Sequence, residues 1–459
     1  MKLTVSFLTV GCKLNQSDTE RLKQRFRQAG FEILPFGHVV DVSVVNTCTV
    51  TSKADYRSRQ ALRRATKSTK GLVVATGCYA QIDPDDLARI RGVHLVVGTR
   101  SRGNLSRLVQ ERLKETDSRM NCNARCFDPP ISPPPDCFDE AVVSGLDRLT
   151  RPFVKIQDGC DNRCAYCIVP LARGPSRSRA PDNVIEEVSQ LVRAGYKEIV
   201  LTGVCLGAYG GDISFEDDEG EVEESGGGVT RQFDLLNLMA VMEQIEGLQR
   251  FRLSSMEPMD LSEGLIKFMA QSSKFCRHLH IPLQSGDDEI LKRMNRPYNA
   301  SQYRHLVIKL KQRIPDIGIG ADVIVGFPGE SEENFLNTYN LIQELPISYL
   351  HIFRFSPRKG TSACQMEDQV DEGVKKARSQ ALRELDRIKR RTFIMSFIGQ
   401  RLPVLFENRR DKETGLLTGL TDNYIRVLAD GPDELMNKGV MEVELMRPHG
   451  RKVIGRVVS

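Results

Sequence analysis

The sequence predicts an α/β protein in three parts: an N-terminal parallel α/β domain, a central partial (β/α)6 barrel and a small C-terminal all-β barrel. Three observations carry this prediction. Strand-like and helix-like segments alternate three times in roughly the first 100 residues, and each of those strands runs into a cysteine. From residue 153, six more strand-like runs alternate with helix-length segments. After residue 399 the chain changes to short β-branched runs separated by turn residues.

In the first part, a strand over 3–8 leads to Gly11-Cys12 and then a helix from about Ser17, where Ser17 and Glu20 have capping-box spacing. A strand over 42–45 leads to Asn46-Thr47-Cys48 and a basic helix over 53–70. That helix carries Arg57, Arg59, Arg63, Arg64 and Lys67 against Asp55. A strand over 72–75 leads to Thr76-Gly77-Cys78 and a short helix opened by Asp83-Pro84. In open parallel sheets the carboxyl ends of the strands converge on one crevice. Cys12, Cys48 and Cys78 are therefore expected together in space as a second three-thiolate site. Ordinary core packing of free cysteines is the alternative; their repeated placement in Gly- or Thr-flanked loops weighs against it.

The N-terminal domain is read as 1–116, followed by a proline-rich linker over 117–149. Cys122, Cys126 and Cys137 lie in that linker without a fourth ligand. The central domain, 150–398, has strands at 153–156, 198–202, 251–254, 278–283, 318–325 and 349–355. It contains an acidic, glycine-rich insertion at 210–230, read as disordered, and closes with a basic helix over 372–398. The C-terminal domain, 399–459, has strand-like runs at 402–406, 414–416, 424–428 and 441–445. Barrel active sites lie at the strands' carboxyl ends, which nominates Gly203, Gln284 and Asp322 as cofactor contacts. His278 and His280 read as satisfied barrel residues, and Cys205, Cys276 and Cys364 as structural.

At the first central strand end, Cys160, Cys164 and Cys167 stand in C-x-x-x-C-x-x-C spacing. Three thiolates on one loop hold three irons of a [4Fe-4S] cube and leave the fourth open. Structural zinc would want four ligands in paired spacings. An open iron at a barrel mouth can chelate the amino and carboxylate groups of S-adenosylmethionine, and reductive cleavage then yields a 5′-deoxyadenosyl radical. A second three-cysteine cluster suits a second task, holding sulfur for transfer to carbon.

The 459 residues, 40% hydrophobic and 27% charged, describe a soluble globular chain with a formal net charge of +5. No run approaches the ~18 apolar residues of a membrane span, and the start does not read as a signal peptide. The twelve cysteines are thus expected in a reducing cytoplasm, where metal binding outranks disulfides. No Ser-His-Asp set, P-loop or paired carboxylates compete for the chemistry. The N-terminal region also lacks a D-x-H-x-x-G loop for cobalamin.

Together the residues resemble the radical S-adenosylmethionine methylthiotransferases over nearly the whole chain. The resemblance rests on Gly11-Cys12 with Asn15 and Glu20, Asn46-Thr47-Cys48, Thr76-Gly77-Cys78 and the Cys160/Cys164/Cys167 loop. It also rests on residues 280–286, His-Ile-Pro-Leu-Gln-Ser-Gly, and 326–330, Gly-Phe-Pro-Gly-Glu. It implies a methylthiotransferase domain, a radical domain and a TRAM domain, two [4Fe-4S] clusters, and two molecules of S-adenosylmethionine per turnover. Lys13-Leu14-Asn15-Gln16 after Cys12, and the residues around Cys48, look like the branch acting on N6-threonylcarbamoyladenosine at position 37 of tRNA. The expected partners are tRNA and a cytoplasmic reductant such as flavodoxin or ferredoxin, with the sulfur donor unspecified. Methylthiolation of isopentenyladenosine tRNA or of a ribosomal-protein aspartate is the enzymatic alternative. A non-catalytic iron–sulfur RNA-binding protein is the alternative of another class.

Overall fold

The structure is a computed structural model and describes residues 2–115, 125–127, 150–213, 233–436 and 438–458. Cys122, Cys137, most of the proline-rich segment and residues 214–230 of the acidic insertion lie outside the described residues. The chain divides into two compact units. One comprises Met1–Ser144, Asp158–Arg179 and Ser356–Cys364; the other comprises Gly145–Gln157, Ala180–Phe355 and Gln365–Ser459.

The first unit is built on a parallel sheet of β1 (Thr4–Thr9), β2 (Glu32–Leu34), β3 (Val40–Thr47), β4 (Thr69–Gly77), β5 (Leu95–Val97) and β6 (Arg125–Phe127). Their order is β2-β1-β3-β4-β5-β6. Within the segment read as a linker, β6 thus extends the sheet, with Cys126 beside Val96. Helices cover both faces, so the central strands read as continuous apolar runs rather than alternating ones. Val42, Val44 and Val74 pack with Leu22 and Phe26 on one face; Val45, Val73 and Ala75 pack with Leu62 and Ala65 on the other.

Helix α1 spans Lys13–Gln28, and its N-cap is Cys12, without a side-chain cap bond. The predicted start at Ser17 is corrected: Ser17 is buried inside the helix, and Glu20 pairs with Lys23 at 2.7 Å. The loop after β1 is therefore shorter than the capping signal implied. Helix α2 spans Ser52–Ser68, and Thr51 caps it by accepting from the Ala54 N–H at 3.2 Å.

In the second unit six parallel strands form two three-stranded sheets. Phe153–Lys155, Glu198–Thr202 and Arg250–Leu253 make one, with the Glu198–Thr202 strand central. His278–His280, Gly318–Val325 and Tyr349–Arg354 make the other, with the Gly318–Val325 strand central. Isolated bridges, among them Ser255 with His280, link the first sheet's edge to the second. The His278–His280 strand is shorter than predicted because Pro282 has no N–H to donate and Gln284 turns the chain at φ 62.

A long helix, Glu372–Met395, precedes a closed barrel of Arg401–Arg410, Leu417–Thr421, Arg426–Ala429, Val440–His449 and Lys452–Val457. Val404, Phe406, Val427, Val443 and Val453 fill its core. The run 414–416, predicted as a strand, is a turn: Gly415 sits at φ +71 and its N–H returns to the Asp411 carbonyl at 2.9 Å.

Candidate functional site

Strand pairing in the first unit brings the N-terminal cysteines to one end of the sheet. Thr9 of β1 lies beside Asn46 of β3, and Thr47 of β3 beside Gly77 of β4. Cys12, Cys48 and Cys78 follow these strand ends, as expected from the sequence. Cys48 and Cys78 are buried and Cys12 is exposed. Burial, with the nearby Cys78 and Cys12 sulfurs adding to it, pushes the Cys48 thiol up to about 12. Burial raises Cys78 as well, opposed by the charge of Arg173. The three thiols therefore lie close enough at this end of the sheet to influence one another.

Side-chain amides stitch the Cys12 and Cys48 loops together, and the Thr47 hydroxyl ties the second to the third strand end by donating to the Thr76 carbonyl at 2.6 Å. Asn15 Nδ2 donates to the carbonyls of Val10 at 2.8 Å and Thr47 at 3.1 Å. Asn46 Nδ2 donates to the Asn15 carbonyl at 2.9 Å and to Thr19 Oγ1 at 3.0 Å. The Cys48 N–H donates to Ser58 Oγ at 3.1 Å. Gly11 sits at φ +123, and a Cβ there would lie 2.9 Å from Cys48 Cβ and 3.2 Å from its Sγ. Only glycine fits that approach without strain.

The Cys160, Cys164 and Cys167 loop belongs to this same compact unit, although its sequence neighbours lead into the central strands. The Cys160 N–H donates to the Gly174 carbonyl at 3.1 Å and the Cys167 N–H to the Cys164 carbonyl at 3.0 Å. Gly159 sits at φ +75, where a Cβ would run into the Pro175 carbonyl. All three cysteines are half-buried. Three thiols on one tightly backed loop fit a cluster that keeps one iron open. The N-terminal thiols fit the same type of group, because buried thiols give up their protons when a metal takes their place.

Between the two cysteine sets lies a buried polar cluster that sequence reasoning missed. Arg173 ends the short helix Val169–Arg173; it pairs with Asp158 at 2.8 Å and Asp18 at 3.1 Å. Arg102 pairs with Asp18 at 2.7 Å. In the sequence Arg173 is one basic residue among several that follow the Cys160 loop. Asp18 and Arg102 carried no local signal; only folding joins them.

In the second unit the three nominated contacts are separate features. Gly203 opens a turn held by Gln157 Oε1, which accepts from the N–H groups of Val204 at 2.8 Å and Cys205 at 2.9 Å. Gln284 is nearly buried at its positive-φ turn. Asp322 Oδ1 lies 2.7 Å from His280 Nε2 and 3.3 Å from His351 Nδ1. Burial alone would raise the Asp322 pKa, but those two imidazoles hold it far below the usual carboxylate range. Tyr349 Oη lies 2.8 Å from His278 Nε2 and 3.2 Å from His280 Nδ1. His280 is therefore a satisfied strand residue, as read from the sequence, whereas His278 is bonded through Nε2 and its buried Nδ1 has no hydrogen-bond partner among the described residues. His280, Asp322 and His351 bring ligand-type atoms within 4.8 Å of one another, and their mutual hydrogen bonds account for the arrangement. Cys205 and Cys276 are buried, whereas Cys364 is exposed.

Residues 154–342 match the family model described as Radical SAM superfamily. Residues 4–98 match the model described as Uncharacterized protein family UPF0004. The Threonylcarbamoyladenosine tRNA methylthiotransferase MtaB of Bacillus subtilis (strain 168) is 37% identical, over 99% of this chain and 97% of that protein. The tRNA-2-methylthio-N(6)-dimethylallyladenosine synthase of Protochlamydia amoebophila (strain UWE25) is 32% identical, over 93% of this chain and 90% of that protein. Among solved structures, the radical S-adenosylmethionine methyltransferase TsrM from Kitasatospora setae, with cobalamin and a [4Fe-4S] cluster bound, is 16% identical. It superposes with a TM-score of 0.57, covering 79% of this chain and 77% of that one, a likeness of fold. The fold and the Cys160 loop define a radical S-adenosylmethionine enzyme, of the class that uses a [4Fe-4S] cluster and S-adenosylmethionine. Full-length similarity then narrows the class: the chain belongs to the radical S-adenosylmethionine methylthiotransferases. Among the described residues no helix is long and apolar enough to cross a membrane.

Proposed function

We propose that the protein converts N6-threonylcarbamoyladenosine at position 37 of tRNA to its 2-methylthio derivative, with S-adenosylmethionine as both methyl donor and radical source. The observation that carries this reading is the presence of two cysteine triads in one compact unit, in a chain 37% identical to a relative named for that activity. In this reading Cys160, Cys164 and Cys167 ligate the radical cluster, and Cys12, Cys48 and Cys78 ligate a second, sulfur-carrying cluster. Gly203, Gln284 and Asp322 contact S-adenosylmethionine. Residues 1–116 form the methylthiotransferase domain, 150–398 the partial (β/α)6 radical domain and 399–459 the TRAM domain, with a linker over 117–149. A flavodoxin- or ferredoxin-like reductant of the cytoplasm supplies the electron.

When bound, the radical cluster and S-adenosylmethionine supply the hydrogen-abstracting carbon radical. The chain's own contribution is positional. Asn15 and Asn46 hold the Cys12 and Cys48 loops together, and the backbone behind Gly159 fixes the Cys160 loop. The His280–Asp322–His351 group keeps a carboxylate charged at the strand ends, suited to orienting a cationic or hydroxyl-bearing ligand.

The test is the modified-nucleoside profile of tRNA from cells lacking the gene. Loss of 2-methylthio-threonylcarbamoyladenosine alone supports the proposal, and an unchanged level refutes it. The second reading, methylthiolation of isopentenyladenosine, draws on the relative named for that product at 32% identity; loss of that nucleoside instead would establish it. A non-catalytic iron–sulfur RNA-binding role predicts no 5′-deoxyadenosine above a Cys160→Ala control after anaerobic reconstitution with reductant and S-adenosylmethionine.

A further inference from the structure

The guanidinium of Arg173 touches more of the candidate site than any cysteine neighbour described above. Its Nη1 donates to Asp158 Oδ1 at 2.8 Å; its Nη2 donates to Asn15 Oδ1 at 2.7 Å and Asp18 Oδ2 at 3.1 Å. Its positive charge also acts on the Cys78 thiol. Arg102 closes the group: its Nη1 donates to Asp18 Oδ2 at 2.7 Å, and its Nη2 stands 4.0 Å from Asp158. The Arg173, Asp18, Arg102 and Asp158 side chains are only 3%, 0%, 5% and 8% exposed.

Four buried charges summing to zero are a poor way to stabilise a fold. Each loses several kcal/mol of hydration, and an apolar replacement of similar volume is often at least as stable. Their placement is what distinguishes them. Asp158 precedes the Cys160 loop and also accepts the Gly159 N–H at 2.9 Å. Asn15 and Asp18 lie on α1, which begins directly after Cys12. Arg173 thus reaches the base of one cysteine loop, the helix that starts at a second, and a sulfur of the third strand end. Such a set of partners demands the flat, five-donor fork of arginine; the point charge of lysine cannot serve it.

We propose that Arg173 is a positioning residue shared by the two cysteine sets. It anchors the Cys160 loop through Asp158, holds Cys12 in place through Asn15 and Asp18, and sets the redox level of the group on Cys12, Cys48 and Cys78 through Cys78. The proposal rests on the reading that each cysteine set holds a cluster. A buried positive charge beside an iron–sulfur group favours its reduced form and so raises its reduction potential. Removing Arg173 should lower that potential.

The test uses full-length protein, reconstituted anaerobically, in a Cys160→Ala/Cys164→Ala/Cys167→Ala background that leaves the N-terminal site alone. The variants are Arg173→Gln, Arg173→Lys, and the pair Arg173→Gln/Asp18→Asn, which restores charge balance should the single change fail to fold. Iron per chain and the EPR-monitored midpoint potential are measured on each. The expectation is about four irons in the background and, in Arg173→Gln, an about tenfold shift toward the oxidised state, some 59 mV for one electron. The charge-balanced pair should keep a midpoint near that of the background but show an altered EPR signal, because the contacts to Asp158 and Asn15 are lost. Arg173→Lys should restore part of the shift. An unchanged midpoint in a folded, iron-replete Arg173→Gln protein, or an unchanged EPR signal in the Arg173→Gln/Asp18→Asn pair, overturns the role of Arg173 alone. Absence of iron from the background protein overturns the two-cluster reading, and the role of Arg173 with it.

Discussion

Each compact unit buries a cluster of arginines and carboxylates, and the two clusters are resolved differently. In the first unit Arg102 and Arg173 are matched by Asp18 and Asp158, and the group faces thiols. In the second unit Glu198 faces Arg250 at 2.6 Å and Arg252 at 3.1 Å, while Arg151 lies 3.9 Å from it and pairs with Glu407 at 2.6 Å. The surplus donors there go to backbone carbonyls of the C-terminal barrel. Arg250 donates to Pro403 at 3.1 Å and Leu420 at 2.9 Å, and Arg252 to Asp422 at 2.8 Å and Thr421 at 3.2 Å. Arg252 also lies 5.2 Å from the Tyr424 ring centroid. One cluster is arranged around candidate metal ligands; the other ties barrel to sheet. Burial of charge is therefore not by itself a mark of function, and what the spare donors meet decides which role a cluster has.

This contrast can be broken most sharply at the cysteines. Cys12→Ala, Cys48→Ala and Cys78→Ala should each abolish methylthiolation while 5′-deoxyadenosine formation continues, with iron falling from about eight to about four per chain. Both products are measured in one anaerobic assay, and normal methylthiolation by all three variants would remove the second cluster from the reaction. Next in size is Glu198→Gln, which removes the carboxylate shared by Arg250 and Arg252. It should cost about 3–5 kcal/mol of stability in urea titration, and a loss under about 1 kcal/mol would mean that the barrel carbonyls hold these arginines unaided.

The same carboxylate predicts a pH dependence. Burial alone would raise its pKa, but the charges of Arg250, Arg252 and Arg151 hold it at about 2, below the ordinary 4.5. A depressed native pKa stabilises the fold above the unfolded value, and that contribution fades as pH falls from 4.5 toward 2. Wild-type stability should drop by on the order of 3 kcal/mol across that window from this residue. Glu198→Gln should flatten the curve, and parallel curves would rule the assignment out. The smallest effect belongs to a site outside both clusters. Thr51→Ala removes the cap on α2 and should cost about 1 kcal/mol, with the iron content unchanged.

Much of the first unit was legible in the sequence because its signals are local. The apolar runs of β3 and β4 and the cysteines that follow them are contiguous in the chain, and parallel strands bring their ends together without further instruction. The spacing of Cys160, Cys164 and Cys167 was equally readable, since one loop supplies all three. Where local signals misled, a competing local interaction prevailed. Ser17 and Glu20 had capping-box spacing, yet α1 starts at Lys13, with Asn15 bonded across to the Val10 and Thr47 carbonyls. The 414–416 run looked strand-like but turns at Gly415.

By itself, then, the sequence determined the alternation of strands and helices, the two cysteine triads and the family to which they point. Those features depend on periodicity and spacing, which are properties of neighbouring residues. Tertiary structure alone decided that the Cys160 loop joins the N-terminal unit, and that Asp18, Arg102, Asp158 and Arg173 meet in one buried group. It also decided that His280, Asp322 and His351 converge from three different strands. Ion pairs of this kind join residues far apart in the chain, and a charge on a helix looks the same in sequence whether it faces water or a buried partner.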